Sequence, residues 1–118
     1  MLIGLHTDPD EAVEEMEALV DVHTAVKQHW DTDDILIMGD LNADCSYASE
    51  TARNSLELNT DSQFSWLIGD EVDTTTTSTD CTYDRCVCSL ITHLYAYISL
   101  VVCWTKLIII IVVSVVKQ

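Results

Sequence analysis

Positive charge is scarce in this sequence. Five lysines and arginines face 20 aspartates and glutamates among 118 residues, which gives a formal net charge of −15. All of the acids lie between Asp8 and Asp84, where only Lys27, Arg53 and Arg85 offset them. This balance excludes a protein that holds nucleic acid through a broad basic surface. It does not exclude an enzyme in which bound divalent cations supply the local positive charge.

Two familiar sequence signals are also absent. The five cysteines do not follow the spacing of a structural zinc site. Met1 runs directly into a short apolar stretch and then an acidic helix, without the regions of a secretory signal peptide. The length suits one small domain with a modest core.

The apolar pattern predicts an α/β layered domain. A helix should begin at Asp8 as its N-cap, with Pro9 in the first position and Glu11 completing a capping box. One face of this helix carries residues at steps of three, four or seven: Ala12, Met16, Leu19, His23, Val26 and Trp30. Buried strands are predicted at residues 2–5, 35–38, 64–68 and 82–88, with loops at residues 42–61 and 69–80. So few strands leave the sheet with an open edge.

The composition changes abruptly at Leu90, so we divide the chain into a domain at residues 1–88 and an apolar tail at residues 89–118. Residues 94–116 are almost entirely apolar, which is close to what a transmembrane segment needs, although Lys106 near the middle is costly there. The alternatives are a buried β-rich tail or an aggregation-prone segment, since residues 108–113 are β-branched or aliphatic, uncharged and free of proline.

Several polar side chains follow the predicted strands, where α/β folds place catalytic groups. Asp40 offers a hard oxygen ligand for Mg²⁺, and Asn42 offers a neutral amide for a phosphate oxygen. Alternatively, these two residues simply form a turn. His6 suits a general acid or base, or is an ordinary histidine at a strand end. Asp84 is a further candidate, or merely an ion-pair partner of a neighbouring cation.

Five stretches together resemble the deoxyribonuclease I family, including its gamma-type members. The most specific is the string Gly39-Asp40-Leu41-Asn42-Ala43-Asp44-Cys45-Ser46-Tyr47. The others are Leu5-His6-Thr7, Phe64-Ser65-Trp66-Leu67-Ile68, Asp73-Thr74-Thr75 and Cys81-Thr82-Tyr83-Asp84-Arg85. The resemblance implies a partial α/β sandwich of the endonuclease/exonuclease/phosphatase type and a divalent-metal-dependent endodeoxyribonuclease that hydrolyses DNA phosphodiester bonds.

The resemblance also implies roles for individual residues. His6, Asp40, Asn42 and Asp84 would be catalytic, and Tyr47 and Tyr83 would lie along the DNA. Asp40 would bind Mg²⁺, while a structural Ca²⁺ would be held by four loop residues: Asp73, Thr75, Thr77 and Thr79. Cys45 and Cys81 would form a disulfide, and DNA would be the partner.

This sequence lacks residues that the family pattern pairs with His6 and Asp84, and these residues are needed for activity. The acid that orients His6 would lie upstream of this sequence, and the histidine that pairs with Asp84 would lie downstream. We therefore expect a C-terminal-half fragment with weak or no activity, because losing one member of such a pair costs orders of magnitude in rate. Asp44 stands where the family usually has glycine and is expected to add negative charge beside Asp40. The family points to secretion or the secretory pathway, although no signal peptide is recognised here.

Two other functions compete with this interpretation. The first is a non-catalytic protein derived from the nuclease fold, attached to a membrane through residues 94–116 or acting as an interaction module. The second is a small acidic domain that binds Ca²⁺ through residues 73–79. No protein partner is indicated.

Overall fold

The computed structural model describes residues 1–89, which form an α/β fold built on one four-stranded mixed sheet. The strands are β1 (Leu2–Gly4), β2 (Ile35–Asp40), β3 (Phe64–Trp66) and β4 (Asp84–Ser89). Their spatial order is β1-β2-β4-β3, with β1 parallel to β2 and the other pairs antiparallel. The predicted α/β class is confirmed, and β1 and β3 are the outer strands of the described sheet.

The helical segment begins at the predicted cap, Asp8, but the predicted capping box is wrong, because the Asp8 amide donates to Glu15 at 3.3 Å and not to Glu11. Asp8 is the N-cap of a 3₁₀ turn, Pro9–Glu11, and its side chain accepts a hydrogen bond from the Asp10 amide at 3.0 Å. Helix α1 (Ala12–Trp30) follows directly and ends at Asp31, whose backbone is left-handed with φ of 49°. The predicted apolar face is confirmed at its first turns but not at its end, since Trp30 is 60% exposed.

Helix α1 covers one face of the sheet. Its buried Met16 and Leu19 belong to the same cluster as Ile37 and Val87, which alternate with residues on the other face because strand side chains have a period of two. A fully buried side chain of this size contributes roughly 1.5–3 kcal/mol. His23 lies on the same helix face and packs edge-on against Phe64, with ring centroids 4.9 Å apart.

The opposite face has a smaller cluster. Met38 and Cys86 are buried there with Ile68, and Leu36, Leu67 and Val72 pack against them. The segment after β3 therefore folds back over this face.

The segment at residues 42–61 was predicted to be mostly loop, and two short helices within it were missed. They are α2 (Glu50–Ser55) and α3 (Glu57–Thr60). Ser49 caps α2 by accepting a hydrogen bond from the Ala52 amide at 3.3 Å. The polar composition hid these helices, because only Leu56, Leu58 and Ala48 supply their apolar contact with the core.

Residues 90–118 lie outside the described part of the structure, and with them the predicted membrane segment at residues 94–116. No helix within residues 1–89 combines the length and the apolar character needed to cross a bilayer.

At Gly39 the backbone of β2 lies very close to Leu5, in the extension of β1. Its φ is 151°, and a Cβ atom placed on it would lie 1.8 Å from the Leu5 carbonyl oxygen. Only glycine allows the backbone beside Asp40 to pack this tightly against the extension of β1.

We expect Gly39→Ala to lower the free energy of unfolding by at least about 2 kcal/mol, because the new methyl group meets backbone in a conformation that alanine rarely adopts. Gly4→Ala is the matched control, since no atom lies within 4 Å of the Cβ position there. Urea denaturation of both variants measures the difference. Equal stability of the two variants would show that the close approach at Gly39 is not a constraint.

Candidate active site

Three of the predicted catalytic residues form a row across the sheet. Gly4 of β1 is opposite Met38 of β2. Hydrogen bonds from the Leu5 amide to the Met38 carbonyl and from the Thr7 amide to the Asp40 carbonyl continue this pairing beyond β1. His6 therefore lies beside Asp40, and Asp40 is in register with Asp84 of β4.

Asp40 connects this row to the turn that follows it. One oxygen of the Asp40 carboxylate lies 3.6 Å from His6 Nε2. The other accepts a hydrogen bond from the backbone amide of Asn42 at 3.1 Å. The His6 side chain is 68% exposed. The Asp40 carboxylate thus lies beside the imidazole at more than hydrogen-bond distance, and the imidazole is open to a molecule arriving from solvent.

Asn42 makes contacts that the sequence did not indicate. Its backbone is left-handed, with φ of 47°, a conformation that asparagine tolerates well. Its buried side-chain amide donates to the carbonyl and the hydroxyl of Thr7, at 3.1 and 3.3 Å. The amide predicted to contact a phosphate therefore ties the turn to the extension of β1.

Asp40 and Asp84 bring two carboxylates to neighbouring strands. Residues paired across antiparallel strands have Cα atoms about 4.5–5.5 Å apart, and like charges at such positions repel. Asp84 is held at the start of β4, where its amide and that of Tyr83 donate to the Thr74 hydroxyl, at 3.1 and 2.9 Å. Within residues 1–89, no group of three or more His, Cys, Asp or Glu side chains is placed to hold a metal by itself.

The two predicted DNA-contacting tyrosines lie together. The Tyr47 and Tyr83 rings are 5.4 Å apart and tilted by 48°, and Tyr47 is 39% exposed. Burial, followed by the neighbouring Tyr47, Asp44 and Asp40, raises the pKa of Tyr83. The phenol thus stays protonated near neutral pH and can donate a hydrogen bond.

The amino-acid sequence of this chain is similar to those of several known proteins. The chain is 51% identical over 86 residues to deoxyribonuclease-1 of Ovis aries, covering 73% of this chain and 33% of the relative. It is 49% identical over 86 residues to deoxyribonuclease-1 of Bos taurus, covering 73% of this chain and 30% of the relative. It is 48% identical over 88 residues to deoxyribonuclease gamma of Homo sapiens, covering 74% of this chain and 29% of the relative.

The matched part of this chain belongs to the deoxyribonuclease I family. The resemblance stated from the sequence is therefore confirmed. The chain spans about a third of the length of the curated relatives that it matches. No protein-family model matches the chain.

The loop predicted to bind Ca²⁺ brings together its four candidate ligand residues, Asp73, Thr75, Thr77 and Thr79. Asp73 Oδ1 accepts hydrogen bonds from the Thr75 amide at 2.8 Å and from its hydroxyl at 2.7 Å. The Thr75 hydroxyl also contacts the Thr79 carbonyl, and the hydroxyls of Thr77 and Thr79 are 2.7 Å apart.

The sequence did not reveal the ion network beneath the site. Arg53 donates to Asp44 Oδ1 at 2.8 Å and to Asp70 Oδ2 at 2.9 Å, while Arg85 donates to Asp70 Oδ1 at 2.7 Å. The Arg85 side chain is 1% exposed and also donates to the carbonyls of Ile68 and Ala43. The network thus joins the turn after β2 to α2, to the loop before β4 and to β4 itself.

Asp44 belongs to this network, which corrects the expectation that it would add charge beside Asp40. Its second oxygen accepts a hydrogen bond from the Thr82 amide at 2.8 Å. Burial alone would raise the pKa of Asp44, but the hydrogen bonds from Thr82 and Cys45 and the charge of Arg53 hold it below its usual value. Both oxygens of the Asp44 carboxylate therefore take part in contacts that stabilise the fold.

The predicted disulfide between Cys45 and Cys81 is present and reinforces the same connection. The two cysteines are separated by 36 positions in the sequence. Closing a loop of this size stabilises a folded chain by about 3–4 kcal/mol in the chain-entropy model. The turn that carries Asn42 and Tyr47 is therefore held by a covalent bond as well as by ion pairs.

Acid should weaken this network. Because the pKa of Asp44 is lowered in the folded state, its stabilising contribution is complete above its unfolded pKa of about 3.9 and is lost as the pH falls through the lower folded value. We expect Asp44→Asn to be less stable than wild type near neutral pH, and to lose less stability on acidification. Urea denaturation across acidic pH measures both slopes.

The control for this experiment is Asp21→Asn, which removes one exposed carboxylate from α1. It should keep the wild-type dependence on pH. A profile for Asp44→Asn that parallels wild type would mean that Asp44 does not contribute to the acid sensitivity of the fold.

Proposed function

We propose that this chain carries part of the catalytic site of a divalent-metal-dependent endodeoxyribonuclease, and that DNA is its substrate. The row of His6, Asp40 and Asp84 at one end of the sheet is the observation that carries this proposal. Its support is the membership of the matched region in a family whose named relatives are deoxyribonucleases.

The residues present suit Mg²⁺ as the metal. Mg²⁺ is usually held by one or two carboxylates together with substrate phosphates and water, so a cluster of three protein ligands is not required. Asp40 and its cross-strand neighbour Asp84 supply such carboxylates, and a cation would offset their repulsion. When bound, the metal would stabilise negative charge on the phosphate and make water more acidic.

The side chains of this chain then have separable roles. Asp40 places a negative charge beside His6, whose exposed imidazole moves a proton at the phosphate or the attacking water. Tyr83 and Tyr47 flank the path of the DNA with one donor hydroxyl and one exposed ring. Asn42 holds the turn against Thr7, and contacts the phosphate only if a substrate displaces that hydrogen bond. The disulfide supports an oxidising compartment, as expected for a secreted protein.

Nicking of supercoiled plasmid in the presence of Mg²⁺ and Ca²⁺ tests the proposed activity. We expect Asp40→Asn to lose at least about 100-fold in rate, because it removes a metal ligand and the negative charge beside His6 together. The matched control is Asp21→Asn, which changes charge equally at a distant exposed site on α1 and should keep the wild-type rate. Absence of nicking by the wild-type chain at high concentration would exclude an active enzyme, and equal nicking by Asp40→Asn would place the activity elsewhere.

We further propose that Asp73, Thr75, Thr77 and Thr79 hold a structural Ca²⁺. Their convergence in one turn supports this, since Ca²⁺ accepts carboxylate, hydroxyl and carbonyl oxygens in flexible geometry. The single carboxylate among them indicates a weak site.

Calcium should therefore stabilise the fold by mass action. At a Ca²⁺ concentration about 100 times the Kd, the free energy of unfolding should rise by about 2.7 kcal/mol. Asp73→Asn should abolish this increase, while Asp80→Asn in the same loop should retain it and serves as the control for lost charge. Thermal unfolding with and without Ca²⁺ gives the comparison, and an equal response from both variants would contradict the assignment.

A further inference from the structure

His23 is a buried ionisable side chain that the proposed nuclease function does not use. It is 2% exposed and lies one turn after Leu19, on the face of α1 that covers the sheet. Its ring packs edge-on against Phe64 of β3, with the centroids 4.9 Å apart. Phe64 and Leu19 belong to the main core cluster, so the imidazole is part of the contact that joins α1 to β3.

The Nε2 atom of His23 is buried and has no hydrogen-bond partner among residues 1–89. A neutral imidazole carries a hydrogen on only one of its nitrogens, whereas the protonated ring carries one on both. Protonation would therefore place a charged N–H group at a buried atom that faces no acceptor. Burying such a group costs more than burying an unpaired neutral nitrogen, so the neutral ring is the form that fits the folded structure.

The charged groups around the ring do not compensate such a proton. On α1 itself, Lys27 lies one turn further along and repels it. After the helix, Asp33 attracts it, but this exposed carboxylate already forms an ion pair with Lys27. Before β3, Asp61 attracts it too, although its carboxylate accepts hydrogen bonds from Gln63. Within the described residues, the strands contribute no charged group that acts on the ring.

Acid therefore acts on this contact in a defined pH range. Burial, followed by the charge of Lys27, lowers the pKa of His23. The folded state binds the proton less readily than the unfolded chain, in which histidine titrates at about 6.5. The stability due to the neutral ring is complete above this pH, and it declines below it until the lower folded pKa is reached. Asp44 titrates at more acidic pH, so the two groups act in different ranges.

We propose that protonation of His23 releases the second half of α1 from β3, which makes this contact a pH-sensitive switch. The Nε2 atom cannot reach water while the ring packs on Phe64. The charged ring is therefore hydrated only when the helix moves away from the strand.

The packing of α1 allows this movement to stay local. In the first half of the helix, Ala12 and Met16 are fully buried. Beyond His23 the packing on the core weakens, because Val26 is only partly buried and Trp30 is 60% exposed. The sheet pairing, the ion network beneath the site and the disulfide do not involve α1. The second half of the helix can thus open while the sheet stays paired.

NMR-detected hydrogen exchange of the full chain at pH 7.5 and pH 5.0 tests this proposal without depending on nuclease activity. We expect the amide protection factors of residues 20–27 to fall at least about fivefold at the lower pH, because the open state takes up the proton more readily. Amides of β2 should remain better protected than these at pH 5.0, since the sheet stays paired. The imidazole signals of His23 should titrate with a midpoint below about 6.5.

Variants separate the charge of His23 from its packing. His23→Phe keeps a ring beside Phe64, and His23→Gln keeps a polar side chain, but neither can take up a proton. In both variants the protection factors of residues 20–27 should be the same at the two pH values. The matched control is His29→Gln, which changes an exposed histidine of the same helix and should respond to pH as wild type does.

Four results would overturn the proposal. The first is a titration midpoint of His23 at or above about 6.5 in the wild-type chain. The second is wild-type protection of residues 20–27 that does not change with pH. The third is equal protection of these residues and of β2 at pH 5.0, which would mean that the whole fold opens and not the helix alone. The fourth is an acid response of wild-type size in both His23→Phe and His23→Gln.

Discussion

The ion network of Arg53, Asp70, Arg85 and Asp44 is the interaction on which the rest of the described structure depends. Arg85 is almost completely buried on β4, and it reaches the turn after β2 through the Ala43 carbonyl. Arg53 holds the same turn through Asp44 and the Ala48 carbonyl. The charges of Arg53 and Arg85 are buried, and such charges are tolerated when they are paired and hydrogen-bonded. Loss of Asp44 or Asp70 would therefore leave part of a buried positive charge uncompensated.

The sheet aligns the side chains of the candidate active site, which the ion network does not contact. Parallel pairing of β1 with β2 and antiparallel pairing of β2 with β4 bring His6, Asp40 and Asp84 into one row. Gly39 makes this possible, since any Cβ atom there would collide with the Leu5 carbonyl. The strands determine the spacing between His6, Asp40 and Asp84. The ion network and the disulfide hold the turn that follows β2. The two ends of the sheet thus have different chemistry, with carboxylates at one and the buried His23, whose pKa is lowered by burial, at the other.

Local sequence signals predicted some elements well and missed others for identifiable reasons. The capping residues Asp8 and Pro9 located the start of the long helix, because caps act within one turn of chain. The helices α2 and α3 were missed, because they are too short to show a helical period and are stabilised by packing on the core. Trp30 follows the helical period and is nevertheless exposed, since the helix extends past the edge of the cluster that it covers. The Asp44 prediction failed because its partner Arg53 is nine positions away, on an element that was not predicted.

By itself the sequence determined the family, through contiguous strings such as Gly39-Asp40-Leu41-Asn42, and with the family the expected disulfide. It also determined the long helix and the approximate positions of the strands, because hydrophobic periodicity and caps are properties of neighbouring residues. The prediction that the first strand is buried was wrong, since Leu2 on β1 is 46% exposed. Only the tertiary structure decided which side chains meet. The amide of Asn42 binds Thr7 across 35 positions, and the hydroxyl of Ser89 binds the Asp33 carbonyl across 56. Such contacts depend on strand order and register, which no local preference specifies, and they determine which polar groups remain available for a ligand.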